Sequence, residues 1–179
     1  MILSFDKSIF FFFQHLQRPW LNYLLAWPTR LGEVEIILGF LTIGFLIFGK
    51  KKYSSSIPAA VVAILAADWL SLALKVFFHR PRPHIYWQHV HVIFHKSWND
   101  AFPSGHTAII FSAAFVLSHY YPKNVFWAYA IAVWVAITRI YVGAHYPTDL
   151  VGGAILGMAC GWFACWFVAY VEQRNPQIQ

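Results

Sequence analysis

Between residues 75 and 149 eight residues are of the types found where a phosphate group is handled: Lys75, Arg82, Ser104, Gly105, His106, Arg139, His145 and Asp149. Lysine brings a point charge, and arginine a planar fork whose paired donors match two phosphate oxygens. Ser104, Gly105 and His106 belong to "AFPSGHTAII", a polar break at the threshold of an apolar run. There Pro103 needs no amide partner at a helix start and Gly105 leaves room for close approach. The amides of Ser104, Gly105 and His106 are expected to point at an anion, aided by the helix dipole. The four-residue step from His145 to Asp149 lets a carboxylate hold one imidazole nitrogen while the other attacks. His106 then serves as the acid that protonates a leaving alcohol.

Each residue also has a plainer reading. Lys75 and Arg139 alone are helix-end cations that snorkel toward water. "PSGH" alone is a helix start with a serine cap. The functional reading rests on their landing together, so the elements that carry them decide it. The composition is 59% hydrophobic, 20% aromatic and 11% charged, far below the charged share of about 25% in soluble domains. So small a core could not hide that much apolar surface, and lipid is the expected solvent. Thirteen Lys+Arg against seven Asp+Glu give a net charge of +6, which in a lipid context points to anionic headgroups rather than to nucleic acid. Cys160 and Cys165 share one apolar run and read as buried bulk. "SIFFFF" is short and follows an acidic residue, so no cleavable leader is expected.

A spanning helix needs about 20 apolar residues. Five stretches are expected to span: 32–49, 56–78, 104–121, 124–141 and 148–171. Residues 1–31 are broken by Gln14, His15, Gln17, Arg18 and Pro19 and read as one or two aromatic-rich interfacial helices, a sixth broken span being the rival. The expected fold is therefore all-α: a polytopic transmembrane bundle over 32–179, with an N-terminal amphipathic segment and an active-site loop at 79–103. Antiparallel spans bring the end of the second, the start of the third, the end of the fourth and the start of the fifth to one face. All eight residues above lie there, and ionisable groups at membrane depth are costly enough to suggest function. Gly153, Gly157 and Gly161 recur every fourth residue, a face for close helix approach, within the bundle rather than in a dimer.

Three segments carry a family resemblance: "KVFFHRPRP" from Lys75 to Pro83, "PSGH" from Pro103 to His106, and "TRIYVGAHYPTD" from Thr138 to Asp149. In order and spacing they resemble the type 2 phosphatidic acid phosphatase superfamily, whose pattern is K-x6-R-P, P-S-G-H and S-R-x5-H-x3-D. The resemblance runs from about residue 56 to 171, and Thr138 stands where the pattern has serine. It implies a catalytic set of His145 as nucleophile forming a phosphohistidine, Asp149 orienting it, and His106 as acid and then base. Lys75, Arg82, Ser104, Gly105 and Arg139 are implied as phosphate binders, with no metal and no cofactor. It further implies a membrane lipid substrate, with lipid A 1-phosphate preferred over phosphatidylglycerophosphate and undecaprenyl pyrophosphate. No nucleic acid and no obligate protein partner are expected. A phosphotransferase shares this site; soluble vanadate haloperoxidases share the pattern but not the spans; a transporter would place its site nearer the midplane.

Four features fall outside the pattern. Arg80 and Lys96 are either contacts for a second anionic group or solvated loop charges. His79, His84, His89, His91 and His95 lack a cysteine or acid at zinc-ligand spacing. Asp68, seven residues before Lys75, is on nearly the same helix face and is either a supporting partner of a polar group inside the bundle, the preferred reading, or simply a buried hydrogen-bonded acid. Orientation is balanced: Lys50, Lys51, Lys52, Lys123 and Arg174 on one side, Lys7, Arg18, Arg30, Arg80 and Lys96 on the other. The lysine triplet favours its side as cytoplasmic. The resemblance places the site at the periplasmic face of a bacterial inner membrane.

Overall fold

A computed structural model describes residues 3–26, 36, 55–87, 90–93 and 99–174. The expected span 32–49 lies outside the described residues apart from Ile36, as do Arg30, His89, His95 and Lys96. The helices are α1 (Ser4–His15), α2 (Pro19–Ala26), α3 (Ser56–Phe78), the single turn α4 (Pro83–Tyr86), α5 (Gly105–Tyr120), α6 (Val125–Tyr141) and α7 (Pro147–Arg174), with a 3₁₀ turn at Pro122–Asn124 leading into α6. Among the described residues there is no β-strand beyond one isolated bridge, Pro81 to Asp100. The protein is an all-helical, multi-pass membrane protein.

Three described helices are long and apolar enough to cross a bilayer: Ser56–Phe78, Pro122–Tyr141 and Pro147–Arg174. The expected span 104–121 forms α5, which has 16 residues. At about 1.5 Å per residue it is some 24 Å long, short of a hydrocarbon core of about 30 Å. It is the central helix, packed along α7, α3 and α6, so its polar start is enclosed by its neighbours.

Small residues set that packing. A side chain at Gly153 would meet the Ser104 carbonyl oxygen at 2.6 Å, one at Gly161 would meet Phe115 Cβ at 2.7 Å, and one at Gly157 would collide with the Ala108 carbonyl. The glycine face of α7 therefore lies against α5 of the same chain, as backbone contact between membrane helices requires. Ala59, Ala60, Ala63 and Ala164 continue the small-residue seam, closed by Val116, Cys165 and Val168. Both cysteines are buried and unbridged.

The N-terminal segment forms two short helices of 12 and 8 residues. The first docks on α6 and α7. It turns Asp6 and Phe10 inward and leaves Phe5 and Phe12 exposed. Phe10 stacks on Trp87 at 5.8 Å and leans on Tyr146 at 5.9 Å between ring centroids. A carboxylate on the protein-facing side of so aromatic a helix needs partners there. They are found at the site.

Candidate active site

The site lies where four helix ends meet. Lys75 is in the last turn of α3, which stops at His79 in a left-handed conformation (φ 45°) with its amide bonded to the Lys75 carbonyl at 3.0 Å, a C-terminal stop of the αL kind. The chain then runs extended. The Arg82 amide donates to the Asn99 carbonyl (3.0 Å) and the Ala101 amide to that of Arg80 (2.7 Å), so residues 80–82 are clipped to 99–101. This fixes Arg82, 4% exposed, whose Nε donates to the Asp100 carbonyl at 3.3 Å.

Ser104 caps α5, its Oγ accepting from the Thr107 amide (3.4 Å) and hydroxyl (2.9 Å). The expected cradle of three amides is corrected here: the Ser104 amide donates to the Asp149 carbonyl at 3.0 Å. It ties α5 to α7, which leaves Gly105 and His106 to supply the helix-start amides. Gly105 faces α3, where a Cβ would come within 3.4 Å of Lys75 Nζ and 3.0 Å of Ser71 Oγ. Ser71 in turn donates to the Asp68 carbonyl at 2.8 Å. Ser71 and the Asp68 backbone thus stand beside Lys75, and Asp68 itself is half-buried.

Arg139 ends α6. Its carbonyl accepts from the amides of Ala144 (3.1 Å) and His145 (3.3 Å), folding residues 140–145 into a tight turn. Gly143 occupies a φ of +80°, and a Cβ there would meet the His91 carbonyl at 2.9 Å, so both conformation and space call for glycine. Thr138 donates its hydroxyl to the Val135 carbonyl at 2.6 Å and is satisfied within its own helix.

This turn delivers His145 to the start of α7. Its side chain is 2% exposed, and Nδ1 is 3.5 Å from Asp149 Oδ2. That is beyond a well-formed hydrogen bond, as catalytic contacts often are before substrate binds. Burial pushes the His145 imidazole well below its ordinary 6.5, and the positive charges of Arg82, Arg139, Lys75 and His106 push the same way. A neutral imidazole with a lone pair is what these forces leave, the form a nucleophile needs. Lys75, Arg82, His106, Arg139, His145 and Asp149 are all buried, as is Ser104. Three cations acting on one neutral histidine make an arrangement chemically suited to a multiply charged oxyanion.

Against residues 58–173 of this chain the family model of the PAP2 superfamily matches. The chain belongs to the PAP2 superfamily. It is accordingly a phosphatase, and the three sequence segments of the resemblance meet at one site in the fold. The crystal structure of Aquifex aeolicus LpxE superposes with a TM-score of 0.78 at 30% identity, covering 90% of this chain and 95% of that one. A lipid A 4'-phosphatase of Porphyromonas gingivalis is 28% identical over 97% of this chain and 77% of its own length. A lipid A 1-phosphatase of Rhizobium etli is 42% identical over a shorter stretch, 36% of this chain and 27% of its own.

Two features behind the site differ from the sequence expectation. Arg80, expected either to touch a second anionic group or to be solvated, is 11% exposed and forms ion pairs with Asp149 Oδ1 (2.5 Å) and Asp6 Oδ2 (2.6 Å). Its guanidinium also lies 4.5 Å from the centroid of the Tyr146 ring. Asp6, fully buried, was not foreseen at all. It accepts from the Thr148 amide (3.0 Å) and hydroxyl (2.7 Å). Nothing local in "SFDKSIFFFF" signals a partner 142 residues away. Of the loop histidines, His79 is exposed with Nδ1 3.9 Å from Asp100, His84 is half-buried and His91 is exposed. Among the described residues no three His, Cys, Asp or Glu side chains gather as a metal site.

Proposed function

We propose that this protein hydrolyses a phosphate monoester or pyrophosphate on a lipid headgroup through a phosphohistidine at His145. The observation that carries this reading is the buried, neutral His145, with a carboxylate 3.5 Å from Nδ1 and the charges of Lys75, Arg82 and Arg139 acting on its ring. With the Nδ1 proton facing Asp149, Nε2 attacks phosphorus in line. A P–N bond forms as the P–O bond to the lipid breaks, and protonated His106 gives its proton to the leaving oxygen. Neutral His106 then takes a proton from water as the water oxygen attacks phosphorus and the P–N bond breaks, returning His145 to its neutral state. Lys75, Arg82, Arg139, the Ser104 hydroxyl and the Gly105 amide bind the non-bridging oxygens, whose charge they meet without reorganising.

The favoured substrate is lipid A phosphorylated at position 1. The lipid A phosphatases among its relatives support the headgroup class. Phosphatidylglycerophosphate, undecaprenyl pyrophosphate, and transfer to an acceptor other than water are the alternatives. The substrate enters sideways from the leaflet, its tails staying in lipid. Exposed Phe77, Phe78 and Tyr86 at the site end of the bundle fit such an entry, as aromatic side chains settle at headgroup depth. The N-terminal helices α1 and α2 lie in that interface, and the site faces the periplasm from a bacterial inner membrane.

The test is phosphate release by purified protein in detergent with EDTA present. The panel is lipid A, phosphatidylglycerophosphate, undecaprenyl pyrophosphate and phosphatidic acid, with His145→Ala as control. Release that survives chelation and is lost in the variant supports the reading, and the relative rates name the lipid. Loss with EDTA and rescue by zinc overturns it in favour of metal chemistry.

A further inference from the structure

The turn between α6 and α7 is fastened from behind by a helix outside the family-matched residues 58–173. Any helix end leaves carbonyls or amides without intrahelical partners. At the end of α6 the Tyr141 carbonyl accepts from Gln14 Nε2 (3.3 Å) and Gln17 Nε2 (2.6 Å), and Gln14 also reaches the Ile140 carbonyl at 3.5 Å. At the start of α7, Tyr146 is the residue before the first turn and its side chain offers no acceptor to the amides that follow. Asp6 supplies one from α1 through the Thr148 amide. Both halves of the turn that bears His145 are therefore capped by α1 and the link that follows it, with Phe10 wedged between Trp87 and Tyr146.

Asp6 does more than cap. Its Oδ2 receives Arg80 Nη2, while Arg80 Nη1 reaches both Asp149 Oδ1 (2.5 Å) and Thr148 Oγ1 (2.7 Å). The other oxygen of Asp149 accepts from the Tyr146 amide at 2.9 Å and faces His145. One guanidinium shared by two carboxylates leaves a formal charge of −1 (two acids, one base). With Asp6 absent, Arg80 would neutralise Asp149 and draw it from the imidazole. With Asp6 present, Asp149 is held in place while net negative charge is kept to support His145 as it becomes cationic.

We propose that Asp6 and Arg80 are positioning residues of the phosphatase, acting through Asp149 on His145, and that α1 is part of the catalytic apparatus. This rests on the reading of His145 as nucleophile. The experiment uses full-length protein in detergent with dioctanoyl phosphatidic acid as substrate and inorganic orthovanadate as a phosphate mimic, comparing Asp6→Asn, Asp6→Glu, Arg80→Gln and Asp6→Asn/Arg80→Gln. Asparagine can still accept the Thr148 amide, so a purely structural cap predicts near wild-type turnover for Asp6→Asn. The positioning role predicts a kcat loss of about 10- to 100-fold, by analogy with the loss of hydrogen-bond partners that orient metal-ligating side chains, with KM and vanadate inhibition within about twofold. Asp6→Glu, which keeps the charge, recovers part of kcat. The double variant loses no more than Arg80→Gln, because both act through one contact.

Unchanged kcat in Asp6→Asn overturns the proposal, as do equal losses in kcat and vanadate affinity, multiplying losses in the double variant, or failure of Asp6→Asn to fold, which would make Asp6 a folding residue. Running His145→Ala alongside separates the two claims. Turnover retained there sinks the nucleophile, whereas a dead His145→Ala beside a fully active Asp6→Asn sinks the clamp alone.

Discussion

Arg80 and Arg82 flank Pro81 in one short clipped segment and both are largely buried, yet they meet different partners around the turn that bears His145. Arg80 faces the back wall, where its charge is matched by Asp6 and Asp149. Arg82 faces the front wall, where its Nε meets the Asp100 carbonyl, the charges of Asp149 and Asp100 act on it, and its own charge acts on His145 together with those of Lys75 and Arg139. The back wall sums to −1 over Arg80, Asp6 and Asp149, and the front wall to +3 over Lys75, Arg82 and Arg139. Buried charge is tolerated only when paired or held for a partner. The back wall is paired internally and so fixes geometry. The front wall carries more positive charge than the back wall, and on the proposed function a phosphate is what it serves.

The most severe break in this comparison is at the residue both walls serve. His145→Ala is expected to cut phosphate release by about four orders of magnitude or more, as removal of a nucleophile does, while the protein stays folded by circular dichroism. Residual turnover above a hundredth of wild type would mean another group carries the phosphoryl. On the front wall alone, Arg82→Ala is expected to cost about 10²- to 10³-fold in kcat/KM, the scale of a lost oxyanion donor. Vanadate inhibition should weaken in parallel, the opposite of the pattern expected behind the turn. If Arg82→Ala spared vanadate binding, the division into walls would be wrong.

The front wall was largely legible in the sequence because chemistry restricts residue types and helix geometry restricts spacing. Lys75 with Arg82, Ser104 to His106, and His145 with Asp149 are each local patterns, and antiparallel spans bring them to one face. The back wall was not legible, since Asp6, Gln14 and Gln17 act on groups more than a hundred residues away. In an aromatic-rich stretch they look like interruptions of an interfacial segment. Ser104 misled for a related reason: its amide is free by helix rules but is taken by the Asp149 carbonyl through tertiary contact. The α7 glycine face announced close packing correctly, and the structure names α5 as the partner.

That seam carries a prediction of intermediate size. Gly153 lies against the Ser104 carbonyl and Thr107, so Gly153→Ala pushes the capped start of α5 away from α7. Overpacking of this kind costs about 1–3 kcal/mol and should lower the unfolding temperature in detergent. Because Ser104 moves with it, phosphate release should fall about tenfold through KM. A loss confined to kcat would place the disturbance behind the turn instead.

Titration separates the two walls with the smallest effects. His145 has a folded-state pKa well below 6.5, owing to burial and then the cations of the front wall. Between that value and 6.5 the unfolded chain binds the proton and the folded one does not, so stability is full above pH 6.5 and falls on acidification through this window. Burial raises the Asp6 carboxyl, but the amide and hydroxyl of Thr148 and the charge of Arg80 outweigh it and hold Asp6 below the ordinary 3.8. Its contribution is complete above 3.8 and is lost only as the pH falls through its lower folded value. Each window is limited to about 1.4 kcal/mol per pH unit for one proton. Unfolding temperature measured against pH should thus show two acid-side declines, the upper flattened by His145→Gln and the lower by Asp6→Asn. If Asp6→Asn flattened the upper decline instead, proton uptake at His145 would be governed from behind the turn, and the charge of the back wall would reach the imidazole more strongly than that of the front.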